Sequence, residues 1–513
     1  MNSEQKFDFL QYDRSFIRDF LHNIQEIREK WKLPFYLFQE KKLLLNIREV
    51  RNCMGGGVRI AYAMKANPWI GSSAVREVDY LEVCSEGELD LCIRNRIAPE
   101  QILLDGVRRT DDLLRKALDY QVAKYCVDSP GQMEQLVRMA GRGRKVFVLL
   151  RVSSGSRFGM SRQEIRQCLD LCLDREQIEI QGVQFYPGTQ RNDVRRTEQE
   201  LRVLEQWLVF FKENMDLPVR EVQFGGGIGV PCFMSEREED FADAFQAVAA
   251  YAEQLSRDYL VTYEAGRIFA ASAGFYVTEI FEKKIRDGRN IFFCAGGTNH
   301  IRYPGGMLGI RTPYLEVEYK APLGFEQSCS LCGSLCSQED VLARECGLDA
   351  GANPGDVVAF CNAGAYCQMV SPILFLLMET PGFLVYNNTV KDEFSAEAVV
   401  CRYSPGYVRS KTLLTEADFN RGSDFLKQAT YEQLLGIVRE IYLDSAGAEA
   451  EKEITMDTDI KKDLGFDSIM LVVLQIQIED TFHIRFDLVQ DDFQTIFTTV
   501  RNIFNCVRKY LGE

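Results

Sequence analysis

Four short stretches carry residues that do chemistry in combination. In VRIAYAMKA (58–66) a lysine, Lys65, ends an apolar run. FGGGIG (224–229) follows another apolar run with Gly225, Gly226 and Gly227, where the lack of side chains lets backbone N–H groups close on phosphate oxygens. YEAGR (263–267) holds Glu264, Gly266 and Arg267 close together, and QFYPGTQ (184–190) holds Tyr186 and Thr189. A lysine amine can carry a Schiff base to an aldehyde cofactor. Pyridoxal 5'-phosphate then needs a phosphate cradle, a partner for its ring nitrogen and a face to stack on. The glycines, Thr189 and Arg267 suit the cradle, Glu264 the ring nitrogen and Tyr186 the face. Singly, each has a plainer reading: a strand-end lysine reaching water, a tight turn, a surface ion pair, a core tyrosine.

Lysine chemistry of this kind requires a scaffold that brings distant stretches to one place. Between about 36 and 269, strand-like runs such as QILLDGV, AKYCVDS, KVFVLLRV and IEIQGVQFY alternate with amphipathic helical stretches. That alternation predicts a parallel (β/α)8 TIM barrel, an α/β fold whose chemistry sits at the C-terminal ends of the strands, where Lys65 falls. From 270 to 408 the pattern turns β-rich and predicts a second, β domain. Residues 409–425 have weak periodicity and are expected to link it to a small four-helix bundle over 426–513. Residues 1–35 are expected to pack with the β domain.

The bulk composition narrows the function classes. A chain of 513 residues is expected to form two or three domains. A net charge of −15 disfavours nucleic acid as a partner, and about half of the excess lies after Asp424. No stretch has the length and apolarity of a signal peptide or membrane span, so a cytoplasmic enzyme with no membrane partner is expected. Sixteen irregularly spaced cysteines suit a reducing compartment. With three histidines, His22, His300 and His483, and no second pair to complete a site at Cys332 and Cys336, no metal is expected.

The order and spacing of Lys65, LEVCSEGEL (81–89), SRFGM (156–160), QFYPGTQ, FGGGIGVP (224–231), EAGR (264–267), CGSLCSQEDVL (332–342) and NAGAY (362–366) resemble the fold type III pyridoxal-phosphate decarboxylases, the diaminopimelate and ornithine decarboxylase family. The resemblance covers about residues 30–405. It implies an obligate homodimer with shared active sites, Lys65 as the Schiff-base lysine and Glu264 as the ring-nitrogen partner. It also implies phosphate contacts from Gly225, Gly226, Gly227, Arg267 and Tyr366, with Glu82 and Arg151 near the cofactor. Cys336 matches the cysteine that arrives from the other subunit and returns a proton to the α-carbon, which suits a thiol. Asp340 matches a position at the same site. The usual stacking histidine is Tyr186 here, the usual proline of the ring-nitrogen motif is Ala265, and the acidic residue that meets a substrate's distal amine is Ser337. A buried ammonium without a counter-charge is costly, so Ser337 argues against free ornithine, lysine or diaminopimelate.

DLGFDSIML (463–471) sets Ser468 after Gly-Phe-Asp and before an amphipathic stretch. Asp467 or Ser468 could serve as a helix cap, but the acidic, helical tail resembles an acyl carrier protein. The resemblance implies that Ser468 bears 4'-phosphopantetheine, placed there by a phosphopantetheinyl transferase and loaded by a separate ligase. Decarboxylation needs a free α-amine and α-carboxylate, so a carrier-bound amino acid must be tethered through its side chain, as γ-glutamyl or β-aspartyl. The strings YPGTQ and CSQED are most similar to family members of the butirosin pathway, which turn γ-glutamyl carrier protein into 4-aminobutyryl carrier protein. The expected function is therefore decarboxylation of a side-chain thioester in secondary-metabolite biosynthesis. The alternatives are a decarboxylase of a free amino acid whose carrier acts downstream, a racemase, and a non-catalytic homologue.

Overall fold

The computed structural model describes residues 7–403, apart from 142–144, 174, 216–218, 305–307, 374–379, 388–394, 396 and 397. Farther along it describes 434–439, 441–442, 454–482, 486 and 493–510. The expected linker, 409–425, lies outside the described residues. The chain forms two compact units, Met1–Gly406 and Tyr407–Glu513.

In the first unit, eight parallel strands close into a barrel: β2 (Val58–Ala63), β3 (Tyr80–Val83), β4 (Ile102–Leu104), β5 (Lys124–Val127), β6 (Val146–Arg151), β7 (Ile178–Phe185), β8 (Glu221–Phe224) and β9 (Leu260–Ala265). Most of these strands are buried on both faces, which is why they read as apolar runs rather than as alternating patterns. The turns into the helices are set by capping residues. Ser85, Thr110, Ser129, Ser161 and Asp193 each accept a hydrogen bond from a first-turn N–H. Each cap satisfies a donor that the helix start leaves free and aims the helix back along the barrel.

The N-terminal ends of the strands are closed by an ion pair. Lys124 Nζ donates to Glu221 Oε1 and Oε2 at 2.7 and 2.8 Å. Its ammonium lies 4.4 Å from the centre of the Tyr80 ring, and Thr262 donates to Glu221 at 3.3 Å. Both charged residues are buried. Chemistry is thereby left to the opposite rim.

A second sheet contains β1 (Phe35–Gln39), β10 (Gly274–Arg286), β11 (Arg289–Cys294), β12 (Leu315–Glu318), β13 (Glu326–Cys332), β14 (Val341–Asp349), β15 (Val357–Phe360), β16 (Gly382–Tyr386) and β17 (Val399–Tyr403). Residues 36–39, which the sequence reading placed at the start of the barrel, instead lie in this sheet, antiparallel to β10 and parallel to β16. An N-terminal helix, Arg14–His22, buries Ile17, Phe20 and Leu21 against Phe35, Leu37, Phe275 and Val277 of the sheet. The strands β13 and β14 are paired and are joined by a loop over 333–340 that contains Cys336.

The second unit packs Leu434, Val438, Ile460, Leu474, Ile478, Val500, Ile503 and Val507 into its own core. Its described helices include Ser468–Phe482 and Val500–Tyr510. Ser468 is the first residue of the former, and Asp467 Oδ1 accepts from the Met470 N–H at 2.9 Å, so Asp467 provides the cap.

Candidate active site

Lys65 follows β2 in a short turn, Met64–Ala66, at the C-terminal rim of the barrel. Its Nζ donates to Glu82 Oε1 at 2.8 Å and stands 3.9 Å from Glu264 Oε1. The ammonium is 5.5 Å from the centre of the Tyr186 ring. Burial alone would pull this amine down, but Glu82, Cys84 and Glu264 outweigh it and hold Lys65 well above the usual lysine range. Burial, and then the Glu264 carboxylate, push the Glu82 carboxyl well above its own range, with Lys65 opposing. Asp105 is held low: burial raises it, and Arg151, Lys65 and hydrogen bonds from the Gly106 N–H and Glu82 together more than offset that. Glu82, Cys84 and Asp105 place their polar atoms within 4.8 Å of one another, and the Lys65 ammonium supplies the neighbouring positive charge.

Glu264 projects from β9 and is almost fully buried. Its Oε2 accepts from Gln184 Nε2 and from Gln223 Nε2, both at 2.9 Å. Gln184 and Gln223 are cross-strand partners on β7 and β8, and Arg151 on β6 pairs with Gln184. Three neighbouring strands thus turn polar side chains to one level of the barrel. The two amides fix one carboxylate oxygen, and the other faces the Lys65 ammonium at 3.9 Å on the cavity side.

One cavity is lined by Lys65, Tyr186, Thr189, Gly227, Glu264, Gly266, Arg267 and Tyr366, with Ala63, Ile228 and Ala265. Its walls explain the glycines. A Cβ on Gly225 would stand 2.6 Å from the Tyr186 ring, and one on Gly266 would stand 2.6 Å from Ala66 Cβ. Gly226 backs onto Val248. Gly227 has a φ of +61° and presses against the Gly188 carbonyl, a position that only glycine fits. Arg267 is buried with its guanidinium 4.5 Å from the centre of the Tyr366 ring, and its Nε has no partner among the described residues. Tyr366, at φ +65°, is tied back by its N–H to the Ala66 carbonyl at 2.7 Å. An orphaned buried guanidinium N–H beside a wall of bare backbone suits a phosphate. A carboxylate clamped on one side and a flat tyrosine ring suit a pyridine. The donor set therefore fits pyridoxal phosphate.

Arg151 stands 3.7 Å from Asp128 and over the Phe158 ring. It is on the same rim as the cavity but is not among its lining residues. Cys336, Ser337 and Asp340 do not line the Lys65 cavity within the chain. Cys336 is exposed on the β13–β14 loop. The Asp340 carboxylate is taken up by that loop's own frame. It accepts from the Thr298 N–H at 2.7 Å, the Thr298 hydroxyl at 2.9 Å and the Leu335 N–H at 2.7 Å. Asp340 thus holds the loop that carries Cys336.

Sequence reasoning missed Gln184, Gln223, Cys84 and Asp105. The signal available was a glutamine inside each of two otherwise apolar strand ends, VQF in both cases.

Residues 41–271 match the family model for the pyridoxal binding domain of the pyridoxal-dependent decarboxylases, and residues 436–507 match that of the phosphopantetheine attachment site. The chain carries both domains and is a pyridoxal-dependent decarboxylase. Among curated relatives, the 2-[(L-alanin-3-ylcarbamoyl)methyl]-2-hydroxybutanedioate decarboxylase of Staphylococcus aureus is 27% identical over 385 residues, 70% of this chain and 95% of that protein. The L-glutamyl-[BtrI acyl-carrier protein] decarboxylase of Niallia circulans is 24% identical over 384 residues, 70% of this chain and 90% of that protein. The crystal structure of diaminopimelate decarboxylase from Helicobacter pylori complexed with L-lysine shares the fold. It superposes with a TM-score of 0.61 at 20% identity, covering 75% of this chain and 96% of that one.

Proposed function

We propose that this decarboxylase removes the α-carboxylate of an amino acid tethered through its side-chain carboxyl as a carrier thioester, converting γ-glutamyl to 4-aminobutyryl on its own C-terminal carrier domain. One observation carries the reading: a pyridoxal-binding decarboxylase domain and a phosphopantetheine attachment domain occupy the same chain. A relative named for acting on a carrier-bound glutamyl group supports it, as does Ser337, a neutral residue suited to a neutral thioester.

Bound pyridoxal phosphate supplies the electron sink that lets carbon dioxide leave. In this reading Lys65 holds the cofactor, Tyr186 faces its ring, and Glu264 keeps a proton at its ring nitrogen while Gln184 and Gln223 hold the carboxylate in place. Gly225, Gly226, Gly227, Thr189, Arg267 and Tyr366 receive the phosphate. Glu82 and Arg151 set the charge around the amine. Cys336 reaches the cavity of a second copy in a homodimer and delivers the proton to the α-carbon, and Asp340 fixes the loop that aims it. Ser468 carries 4'-phosphopantetheine, which requires a phosphopantetheinyl transferase, and a separate ligase loads it. A chain with sixteen cysteines is at home in the reducing cytoplasm, within a biosynthetic pathway. Among the described residues no helix is long and apolar enough to cross a membrane.

The test loads the carrier with a γ-glutamyl group and follows it by intact mass. The expected result is loss of one carbon dioxide on the intact protein and none on Ser468→Ala, with free glutamate, ornithine and lysine turned over far more slowly. If Ser468→Ala decarboxylates a free amino acid as fast as the intact protein does, the carrier acts downstream.

A further inference from the structure

A second cleft lies against the loop that carries Cys336. It is open to solvent and is lined by Ser337 and Leu335 of that loop, Val341 and Arg344 of β14, Arg302 and Ile310. Ile310 is 75% exposed, an apolar side chain left at the cleft with little cover. Arg302 and Arg344 are exposed, and neither is ion-paired or hydrogen-bonded through its guanidinium among the described residues. Glu339 is the one acidic lining residue and is also exposed. Two guanidinium groups without a side-chain partner, beside an apolar wall of Leu308, Ile310, Leu335, Val341 and Pro372, are an unusual use of arginine on a chain of net charge −15. Planar, doubly donating arginines match phosphate geometry, whereas the apolar wall matches a chain of methylene, methyl and amide groups.

We infer that this cleft receives the phosphopantetheine arm of the carrier-bound substrate, with Arg302 and Arg344 binding its phosphate and Ile310, Leu335 and Val341 covering its apolar part. The inference rests on the proposed tethered-substrate reading and extends it to a second site. Ser337 belongs both to the loop that presents Cys336 and to the lining of the cleft. A thioester whose reacting end meets Cys336 therefore leaves past Ser337 directly into this cleft. The remote contacts can then orient the α-carboxylate for departure, so that binding energy far from the reacting bond raises the rate.

The experiment uses full-length Ser468→Ala, which has no arm of its own, and supplies γ-glutamyl thioesters of free 4'-phosphopantetheine and of pantetheine, which lacks the phosphate. We expect kcat/KM for the phosphorylated arm to be at least about tenfold higher, and Arg302→Gln/Arg344→Gln to bring that ratio toward one. The single variants should fall between, and Glu339→Gln should raise the ratio slightly. The visible cofactor band and circular dichroism check that each variant is folded. Titration with unacylated phosphopantetheine gives an independent reading, since its affinity should fall in the double variant. A ratio near one in the starting protein, or an unchanged ratio in folded variants, overturns the inference. So does turnover of a loaded carrier with neither free thioester accepted, because recognition would then lie on the carrier surface. If neither the loaded carrier nor the free thioesters react, the tethered-substrate reading itself fails.

Discussion

At the residue scale, Lys65 shows what a half-buried amine beside carboxylates needs in order to act. A Schiff base forms from the neutral amine, yet Glu82, Cys84 and Glu264 hold Lys65 well above the usual lysine range against the pull of burial. Around neutral pH the reactive fraction of the cofactor-free protein is therefore small, and it grows about tenfold per pH unit below that raised value. Capture of added pyridoxal phosphate should accelerate as pH rises from 6 to 9, measured as growth of a visible band that borohydride fixes to the peptide containing Lys65. Glu82→Gln removes the foremost carboxyl that raises the amine, so burial gains weight and the whole profile moves to lower pH, with faster capture at neutrality. An unshifted profile, or one displaced upward, would show that Glu82 does not govern Lys65. Legibility at this scale followed charge. Lysine, glutamate, arginine and glycine runs signal chemistry by type, and ten of the eleven residues lining the cavity fall within the stretches first singled out, all but Tyr366. The neutral amides Gln184 and Gln223 carry no such signal, because what matters is their reach to Glu264 Oε2 across two strands.

At the element scale, the barrel divides its polar groups between two rims with opposite tasks. The Lys124–Glu221 pair sits away from Lys65, at the N-terminal strand ends, and touches none of the residues lining the cavity. Removing one partner strands a buried charge, so Lys124→Met should cost about 3–5 kcal/mol in urea unfolding. Lys124→Met/Glu221→Leu should recover most of that loss and keep the visible cofactor band. A double variant no better than the single one would mean that the pair does more than balance charge. The barrel strands were legible because burial on both faces forces continuous apolar runs that stop at glycine or a capping residue. The same reasoning misplaced residues 36–39, since a strand buried in the second sheet has the same signature as a barrel strand. The strands β13 and β14 went unread for a different reason: EQSCSLC and VLARECGLD mix cysteine and charge on half-exposed faces, and it is pairing, of β13 with β11 and of β14 with β13, that makes them strands.

At the scale of the whole molecule, the residues implied for catalysis are split in a way that one chain does not resolve. Lys65 lines a cavity at the barrel rim, whereas Cys336 is exposed on a loop that Asp340 ties to Thr298. A thiol meant to deliver a proton serves no purpose in open solvent, and a loop braced by three hydrogen bonds to one buried carboxylate is built to keep its shape. Both features make sense if the loop completes the cavity of a second copy. Lys65→Ala and Cys336→Ala homodimers should each be nearly inactive, for different reasons, the first lacking the cofactor amine and the second lacking the proton donor while retaining the cofactor band. Mixing the two under conditions that exchange subunits should restore up to about a quarter of full activity, because half of the randomly paired dimers then contain one site with both groups intact. Recovery should appear at the rate of subunit exchange and be lost on dilution below the dimer dissociation constant. If the mixture stays at the level of its parts while mass measurements show mixed dimers, Cys336 acts within its own chain or not at all. The loop would then have to move toward Lys65 on substrate binding, and the bracing by Asp340 is hard to reconcile with such a motion.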